Sequence, residues 1–388
     1  MTRYAAALAL LVACGGAAPR AEVEVEVPPI PRVVRVLTHN VWMLPPVSRD
    51  NLERARALPD TFAGHDAVVL TEMFERGPRE LIAEEMRRRG HHSTPVLGAD
   101  ASEQCESRLG PIAISTPIGL NGGVMIFSPH PIDAIAEKIF RDEQLDSGDT
   151  ACVGEDCCAA KGVLYARVRA PEGCLHVFGT HLQNQSPVMG RRRGDPRAVR
   201  TRQLEIIREL IDEVDRTSCP GPVFVAGDLN LHPHELAEAA DILQAYVPDH
   251  FEGPPSYGED NAYAQSDTPK QLDYVLVTRD FDPPLYSLNE TRRARSTHAF
   301  TRGSGLIGIQ RDGVLADLSD HHPVAGHFEW NVALCPHVGV DAAPPADVQV
   351  TECANLATCG LEGPRRCLQK QDASGYVCFT PALSRGSI

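Results

Sequence analysis

The sequence predicts an α/β protein in which two packed β-sheets are covered by helices. Between residues 33 and 330, short apolar runs of strand length alternate with amphipathic stretches of helix length. Some runs are separated by hairpin-length connections and others by a helix, a mixture that indicates two mixed sheets with helices outside. A shorter cysteine-rich segment follows, so we expect one main domain and a small C-terminal appendage.

Eight runs of aliphatic and β-branched residues predict the strands, because runs of this length are typical of buried strands. In chain order they cover residues 33–39, 67–71, 123–128, 163–168, 175–179, 223–227, 272–277 and 324–328. Helices are predicted at 49–58, 78–89, 196–216 and 233–244, and prolines near the beginning of two of them suit a first helical turn. The segment 278–319 is interpreted as one long loop.

The first residues are typical of a bacterial export signal. Arg3 precedes an apolar run, residues 4–12, that is too short to span a bilayer. The sequence Leu11-Val12-Ala13-Cys14 resembles a lipobox, which predicts removal of residues 1–13 and attachment of lipid to Cys14. Simple secretion, with Cys14 inside the discarded peptide, is the alternative. Residues 14–31 are interpreted as a tether, and we expect an exported protein, either an envelope lipoprotein or a freely secreted one.

Twelve cysteines in an exported chain indicate disulfide bonds. We expect at least one bridge among Cys105, Cys152, Cys157 and Cys158, because a secreted loop of that length gains stability from closure. The main domain is expected to span residues 32–330. The tail, residues 331–388, is too short to fold on apolar burial alone, so disulfides are expected to stabilise it.

The formal net charge of −15 disfavours general affinity for polyanions. Basic runs at 191–193 and 292–293 leave a nucleic-acid contact open, although such runs are more often solvated loops and would equally suit anionic lipid. Nucleic acid is therefore not expected as a partner, and we expect a monomer.

Polar residues lie next to several predicted strands, at one expected rim of the sheets. These residues are Asn40, Glu72, Asp228, Asn230, Asp320 and His321. Carboxylate and amide oxygens arranged in this way are ligands for Mg²⁺, which leaves room for a substrate phosphate. We interpret the six residues as a metal-binding set, with Mn²⁺ or Co²⁺ as alternatives to Mg²⁺, and expect metal-assisted hydrolysis of a phosphate ester.

Two further residues extend the predicted site. His181 follows the strand predicted at 175–179, and Asp273 lies in the strand predicted at 272–277, where it would orient the imidazole of His321. An imidazole of ordinary pKa is suited to act as a general base at physiological pH. Each position also has a structural interpretation, because Asp and Asn at strand ends often cap turns and a single histidine is often structural.

Along the chain these site residues follow the order Asn40, Glu72, His181, Asp228, Asn230, Asp273, Asp320 and His321. This order resembles that of the motifs of the endonuclease/exonuclease/phosphatase superfamily, over roughly residues 32–330. Within it the chain is most similar to bacterial and neutral sphingomyelinases. The residues that carry this similarity are 40–45 (Asn-Val-Trp-Met-Leu-Pro), 71–74 (Thr-Glu-Met-Phe), 122–128 (Gly-Gly-Val-Met-Ile-Phe-Ser), 161–162 (Lys-Gly) and 180–183 (Thr-His-Leu-Gln). Pro129 is a departure, because a basic residue is expected there.

The resemblance implies a four-layer α/β sandwich and a Mg²⁺-dependent enzyme that hydrolyses sphingomyelin to ceramide and phosphocholine. Glu72 would be the principal Mg²⁺ ligand with Asn40 beside it, and Asp320 would hold the histidine pair or a second cation. His321 would take the proton from the attacking water, oriented by Asp273, while Asp228 positions that water. His181 and Asn230 would contact the phosphoryl oxygens.

Two alternative functions remain open at this stage. A secreted deoxyribonuclease would use the same core residues, and a catalytically inactive surface binding protein would keep the fold alone. The lipid headgroup is open as well: Trp42 and Tyr257 are aromatic candidates for a choline-binding wall. The resemblance also implies a membrane-engaging hairpin within 292–309, whose apolar residues Leu306, Ile307 and Ile309 would otherwise pack under a sheet edge.

Overall fold

The structure, a computed structural model, describes residues 33–45, 47–100, 106–109, 112–115, 120–141, 150–185, 194–258, 261–264, 268–300, 315–330, 348–353, 366–369 and 376–381. The predicted leader (1–13) and tether (14–31) lie outside these ranges, as do the arginines 191–193 and the apolar residues Leu306, Ile307 and Ile309. Among the described residues, no helix is long and apolar enough to cross a membrane.

Within the described ranges the chain forms twenty strands and four α-helices. They are β1 (Val33–Asn40), α1 (Asn51–Ala57), β2 (Ala67–Thr71), α2 (Arg76–Arg88), β3 (His92–Ser93), β4 (Glu106–Leu109), β5 (Ile112–Ser115), β6 (Met125–Ser128), β7 (Ile132–Ile139), β8 (Gly162–Ala170), β9 (Gly173–His181), α3 (Pro196–Glu213), β10 (Val223–Asp228), α4 (Leu236–Ile242), β11 (Ala245–Tyr246), β12 (His250–Glu252), β13 (Asp273–Thr278), β14 (Tyr286–Thr291), β15 (Arg295–Phe300), β16 (Leu315–Asp317), β17 (Val324–Glu329), β18 (Val348–Cys353), β19 (Arg366–Gln369) and β20 (Tyr376–Pro381).

Two large mixed sheets form the body of the protein. One has seven strands in the order β12-β14-β17-β1-β2-β6-β3, and the other has six in the order β11-β13-β10-β9-β8-β7. Apolar side chains of both sheets, including Val36, Val69, Phe224 and Val275, form the core between them. Helices α1 and α2 pack on the outer face of the seven-stranded sheet, and α3 and α4 on that of the six-stranded sheet. This arrangement is the predicted four-layer sandwich.

The strands predicted from apolar runs are confirmed, with small differences at their ends. β2 is buried at every position, as expected for the run Ala-Val-Val-Leu, because its two faces pack against the other sheet and against helices. Helix α3 begins as predicted at Pro196, and the Asp195 side chain caps it by accepting the Arg197 N–H at 2.9 Å.

The prediction of one long loop at 278–319 is wrong. This segment contains β14, which is part of the seven-stranded sheet, and the antiparallel pair of β15 and β16. The inward side chains of β14 are Ser287, Asn289 and Thr291. Asn289 accepts the Val275 N–H at 2.8 Å and donates to Val275 O at 2.9 Å, across the space between the sheets. Because the buried face of β14 is polar, an apolar run could not reveal this strand.

Disulfides join Cys152 to Cys157 and Cys174 to Cys219. The first confirms the expected bridge in the segment that leads to Lys161. Cys158 is also disulfide-bonded. In the tail, β18, β20 and β19 form a three-stranded sheet.

Candidate active site

The predicted site residues lie where ends of strands from both sheets meet. The seven-stranded sheet contributes Asn40 at the end of β1, Glu72 directly after β2, and Asp320 and His321 before β17. The six-stranded sheet contributes His181 at the end of β9, Asp228 at the end of β10, Asn230 two residues later, and Asp273 at the beginning of β13. Seven of the eight residues are buried, and Glu72 is partly exposed.

Asn40 joins the two sheets through its amide group. Its Nδ2 donates to Glu72 Oε1 at 2.9 Å and to Asp228 Oδ2 at 3.0 Å, while its Oδ1 accepts the Trp42 N–H at 3.0 Å. Both N–H groups are therefore directed at carboxylates that come from different sheets. This geometry makes Asn40 the residue that holds Glu72 and Asp228 next to each other.

Glu72 has a left-handed backbone, with φ of 58°, which is uncommon for a residue other than glycine. Its carbonyl accepts the Met43 N–H at 3.1 Å, and the Met73 N–H donates to Gly123 O at 2.8 Å, so neighbouring loops maintain this conformation. Burial raises the pKa of Glu72, and the hydrogen bond from Asn40 opposes that shift. Its second oxygen, Oε2, is buried and has no hydrogen-bond partner among the described residues.

His321 and Asp273 form a buried pair. His321 Nδ1 lies 2.7 Å from Asp273 Oδ2, so the imidazole donates to this carboxylate and Nε2 is left as the second ring nitrogen. Burial disfavours the charged imidazole, but Asp273, followed by Asp228 and Asp320, outweighs it and raises the pKa of His321 well above its ordinary value. The expectation of an ordinary pKa is therefore wrong, because the acidic neighbours favour the protonated form.

Asp228 lies between the two histidines. Its Oδ2 is 3.6 Å from His181 Nε2 and 3.8 Å from His321 Nε2. Burial, and next the charge of Asp273, raises the pKa of Asp228 to about 7. His181 differs from His321, because burial and the positive charge of Lys161 lower the pKa of His181 well below its ordinary value. The pKa values of the two histidines around this carboxylate are thus shifted in opposite directions.

Asn230 reaches the site by a turn and not by strand alternation. β10 ends at Asp228, and Asn230 has a left-handed backbone with φ of 49°. The Asn230 N–H donates to Asp228 Oδ1 at 3.0 Å, and its side-chain Nδ2 donates to Leu182 O at 3.2 Å. Alternation along a strand would place residues 228 and 230 on one face, but here the turn after β10 brings both residues to the same rim.

Asp320 is held beside the first strand by its neighbour. Ser319 Oγ donates to Asn40 O at 2.6 Å and lies 3.3 Å from Asp320 Oδ1. Burial has the largest effect and raises the pKa of Asp320, the charge of His321 opposes this shift, and the charge of Glu72 adds to it. The resulting pKa is about 7. The eight predicted residues are thus brought together, in a chain of contacts and charge interactions that crosses both sheets.

The donor set fits a hard divalent cation. Glu72, Asp228 and Asp320 are carboxylates whose pKa values are raised by burial, so a nearby positive charge would favour their ionised forms. The unpartnered Glu72 Oε2 is a free oxygen of the kind that Mg²⁺ takes. Asp228, Asp273 and His321 also place ligand atoms within 4.8 Å of one another. Asp273 is already hydrogen-bonded to His321. The set formed by Glu72, Asp228 and Asp320 is therefore the better metal-binding candidate.

Lys161 is a site residue to which the sequence assigned no role. It is buried at the beginning of β8, its Nζ lies 2.8 Å from Asp156 Oδ1, and it donates to Leu182 O at 2.9 Å. Its charge also lowers the pKa of Glu72 and Asp228, after larger contributions from other groups. In the sequence, the signal for Lys161 is the Lys-Gly pair at 161–162, one of the motifs that carry the family resemblance.

The two aromatic candidates for a headgroup wall have different surroundings. The Tyr257 ring centroid lies 5.1 Å from that of His321, at the site. Trp42 is 7% exposed, and its ring packs against Tyr263, with centroids 5.3 Å apart, and against the guanidinium of Arg54 at 5.3 Å. Only Tyr257 is therefore placed to meet a substrate.

Two of the three arginines in residues 292–295 are paired with acids. Arg292 lies 2.6 Å from Glu290, and Arg295 lies 2.7 Å from Asp317. These pairs reduce the positive charge that a nucleic-acid groove would need, in agreement with the net charge of −15.

A model of the Endonuclease/Exonuclease/phosphatase family matches residues 37–321. Sphingomyelinase C from Bacillus cereus is 27% identical over 312 residues, which cover 75% of this chain and 87% of that protein. Phospholipase C from Staphylococcus aureus is 25% identical over 311 residues, covering 76% of this chain and 87% of that protein. A crystal structure of beta toxin from Staphylococcus aureus with bound magnesium ions has the same fold, with a TM-score of 0.62 and 22% identity over 76% of this chain and 99% of that chain.

Proposed function

Because the chain belongs to the endonuclease/exonuclease/phosphatase family, we propose that it is a phosphodiesterase that hydrolyses sphingomyelin to ceramide and phosphocholine. Its similarity to a sphingomyelinase C and a phospholipase C supports a phospholipid as the substrate class. One observation carries the proposal: the His321–Asp273 pair lies against Asp228, which Asn40 connects to Glu72. This arrangement places an imidazole beside anionic ligands, a combination suited to metal-assisted hydrolysis of a phosphodiester.

The side chains have distinct parts in the proposed reaction. With a divalent cation held by the neighbouring carboxylates, the neutral form of His321 would be favoured. In that form His321 accepts a proton at Nε2 from the attacking water, and the buried Asp273 holds the ring and stabilises the imidazolium that forms. The water oxygen bonds to phosphorus as the bond to the ceramide oxygen breaks, and that oxygen takes up a proton. Asp228 orients the water, while His181 and Asn230 contact the phosphoryl oxygens.

Glu72, Asp228 and Asp320 would hold a divalent cation, with Asn40 beside them. When bound, Mg²⁺, or Mn²⁺ or Co²⁺ in its place, stabilises negative charge on the phosphoryl oxygens. The magnesium ions of the related beta toxin structure support this choice of cation.

Tyr257 is our candidate for recognition of the choline headgroup. Its ring lies against the His321 ring, with a centroid distance of 5.1 Å. A headgroup attached to a phosphate near His321 would therefore lie next to the face of the Tyr257 ring. A quaternary ammonium group is attracted to the face of an aromatic ring. The enzyme would act as an exported monomer at a membrane surface, either secreted or attached through lipid at Cys14.

The test is a substrate panel with purified mature protein and Mg²⁺. Vesicles of sphingomyelin, vesicles of phosphatidylcholine and linear DNA are incubated separately, and products are identified by mass spectrometry. Phosphocholine and ceramide from the sphingomyelin vesicles are expected, with loss of activity in EDTA. His321→Ala is the matched control and is expected to reduce the rate about 10²-fold or more.

Each other outcome identifies a different function. Cleavage of DNA with intact lipids would indicate a deoxyribonuclease. Diacylglycerol from phosphatidylcholine alone would indicate a phospholipase C that acts on glycerophospholipids and not on sphingomyelin. Binding of vesicles without any product, with or without Mg²⁺, would indicate a surface binding protein.

A further inference from the structure

Arg54 is a fully buried cation on helix α1, next to the site but outside the predicted residues. Its exposed fraction is 0%. A guanidinium has five N–H groups, and all five have an acceptor here. Nε donates to Arg49 O at 2.8 Å, Nη1 to Val41 O at 2.6 Å and to Leu318 O at 2.9 Å, and Nη2 to Trp42 O at 2.6 Å and to Asn51 Oδ1 at 2.6 Å.

The main-chain acceptors belong to two segments, the one between β1 and α1 and the one before β17, and each adjoins site residues. Val41 and Trp42 directly follow Asn40, whereas Leu318 precedes Asp320 and His321 by two and three residues. In sequence, Leu318 is 264 residues from Arg54, whereas Val41 is only 13 residues away. One rigid, planar group therefore sets the distance between the end of β1 and the segment that enters β17.

Aromatic rings enclose the same guanidinium. The Arg54 Cζ lies 5.3 Å from the Trp42 ring centroid and 5.5 Å from that of Tyr263. Tyr263 is itself held, because its OH donates to Asp50 at 2.9 Å. Four main-chain carbonyls and one side-chain amide accept the five hydrogen bonds. Arg54 therefore holds backbone segments together and does not form an ion pair with a carboxylate through these bonds.

We propose that Arg54 is a positioning residue for catalysis, which fixes Asn40 at the end of β1 relative to Asp320 and His321 in the segment that enters β17. The inference rests on the proposed phosphodiesterase function. It assigns to α1 a role in the reaction, although Arg54 touches neither substrate nor metal. A displacement of about 1 Å between reacting groups is enough to cost on the order of 10²-fold in rate.

The test compares Arg54→Lys with Arg208→Lys. Arg208 is a matched control on α3, also buried, which donates to Leu243 O at 3.2 Å and to Asp280 at 2.6 Å, on the far side of the six-stranded sheet from α1. With a chromogenic phosphodiester and saturating Mg²⁺, Arg54→Lys is expected to lower kcat about 10- to 100-fold with KM changed less than about threefold. Arg208→Lys is expected to lower the melting temperature while kcat stays at the wild-type value.

A kcat of Arg54→Lys equal to that of Arg208→Lys, with the fold intact, would overturn the inference and leave the proposed function standing. A second measurement does not depend on activity. Trp42 and Trp330 are the two tryptophans of the chain, so Trp330→Phe leaves Trp42 as the sole tryptophan, which is excited selectively. In that background Arg54→Lys is expected to shift the emission to longer wavelength, and Arg208→Lys is not.

If the wild-type protein cleaves no phosphodiester, the proposed function fails, and the Trp42 emission decides whether Arg54 orders the loop. An unshifted emission in Arg54→Lys would refute that role. If Arg54→Lys does not fold, Tyr263→Leu replaces it, because this change removes one stacking ring and keeps all five hydrogen bonds. It is expected to cause a smaller loss of kcat in the same direction, and an unchanged kcat and emission would contradict the inference.

Discussion

Asp228 owes its chemistry to neighbours from several other segments of the chain. Asn40 donates to Asp228 from the other sheet, and the Asn230 N–H donates to it from the turn that follows β10. His181 and His321 lie on either side of it. Burial raises the pKa of this carboxylate, and in these surroundings it is suited to bind a cation together with other carboxylates or to hold a water molecule. The same residue at an exposed strand end would be an ordinary turn cap.

At Glu72 we predict that Glu72→Gln keeps the fold and loses most turnover. The amide preserves the shape of the side chain and its contact with Asn40, but it removes the anionic charge that a divalent cation requires. Turnover at saturating Mg²⁺ and Mg²⁺ binding by calorimetry should both fall, with an unchanged circular dichroism spectrum. Wild-type turnover in this variant would exclude Glu72 from the metal site.

Strand register determines which side chains meet at the rim. β10 lies between β9 and β13, and Asp228 is paired with His181 on one side and with Asp273 on the other. Gly227 permits this close approach, because a Cβ there would lie 1.8 Å from Thr180 O, and its φ is 154°. A shift of one residue along β10 would direct the Asp228 side chain to the opposite face, so the site depends on this pairing.

A buried histidine on β9 predicts a pH dependence of stability. His176 bonds to the Tyr165 hydroxyl and to Cys219 O, both at 2.9 Å, and burial lowers its pKa to about 4 from the ordinary 6.5. Between these values the unfolded chain binds the proton that the folded protein excludes. Stability from this group is therefore complete above the unfolded pKa and decreases as the pH falls towards 4.

The measurement is urea unfolding of the wild type and of His176→Gln at pH 7 and pH 5. The free-energy advantage of the wild type over the variant should shrink by about 2 kcal/mol at pH 5. His39, whose pKa burial lowers to about 3, is present in both proteins and cancels in the comparison. An equal difference at the two pH values would show that His176 is not the titrating group.

The whole molecule creates the site by packing one sheet on the other. The Asn40–Asp228 and His321–Asp273 hydrogen bonds both cross between sheets, and so do the bonds of Asn289 to the Val275 backbone. The inter-sheet core, which includes Phe224 and Phe328, keeps these polar contacts in register. Loss of packing should therefore separate Asp228 from Glu72, and Asp273 from His321, before it unfolds either sheet.

At this scale we predict that a chain ending at Trp330 keeps its hydrolytic activity. All contacts described at the site lie within residues 33–330, and Trp330 closes the main core through a bond of its Nε1 to Asp282 O at 2.6 Å. Activity on a chromogenic phosphodiester and the melting temperature should be compared with the full chain. A truncated protein that folds but is inactive would make the tail part of the site.

A second prediction at this scale concerns access to lipid. β15 and β16 pair antiparallel, so residues 301–314 connect two neighbouring strands. If this connection engages a membrane, Ile307→Asp combined with Ile309→Asp should abolish hydrolysis of sphingomyelin in vesicles and spare a soluble phosphodiester. Equal losses on both substrates would indicate that these side chains support the fold.

Much of the fold was predictable from local patterns. Apolar runs such as 67–71 and 223–227 identified the central strands, because strands that are buried on both faces need apolar residues at every position. β14 was not predictable, because its buried face carries the polar residues Ser287, Asn289 and Thr291. Ser287 bonds to Asp249 and Asn289 to the Val275 backbone, partners that only the folded chain brings close.

By itself, the sequence determined the order of the strands, the residue types at their ends and thus the class of cation that those residues suit. These properties are local, since they depend on side-chain periodicity and on the chemistry of single residues. The tertiary structure alone decided that residues 40 and 228 touch, that the pKa of His321 rises while that of His181 falls, and that Arg54 joins two loops. Charges and hydrogen bonds in a buried site depend on distance in space, and packing sets that distance between segments far apart in the chain.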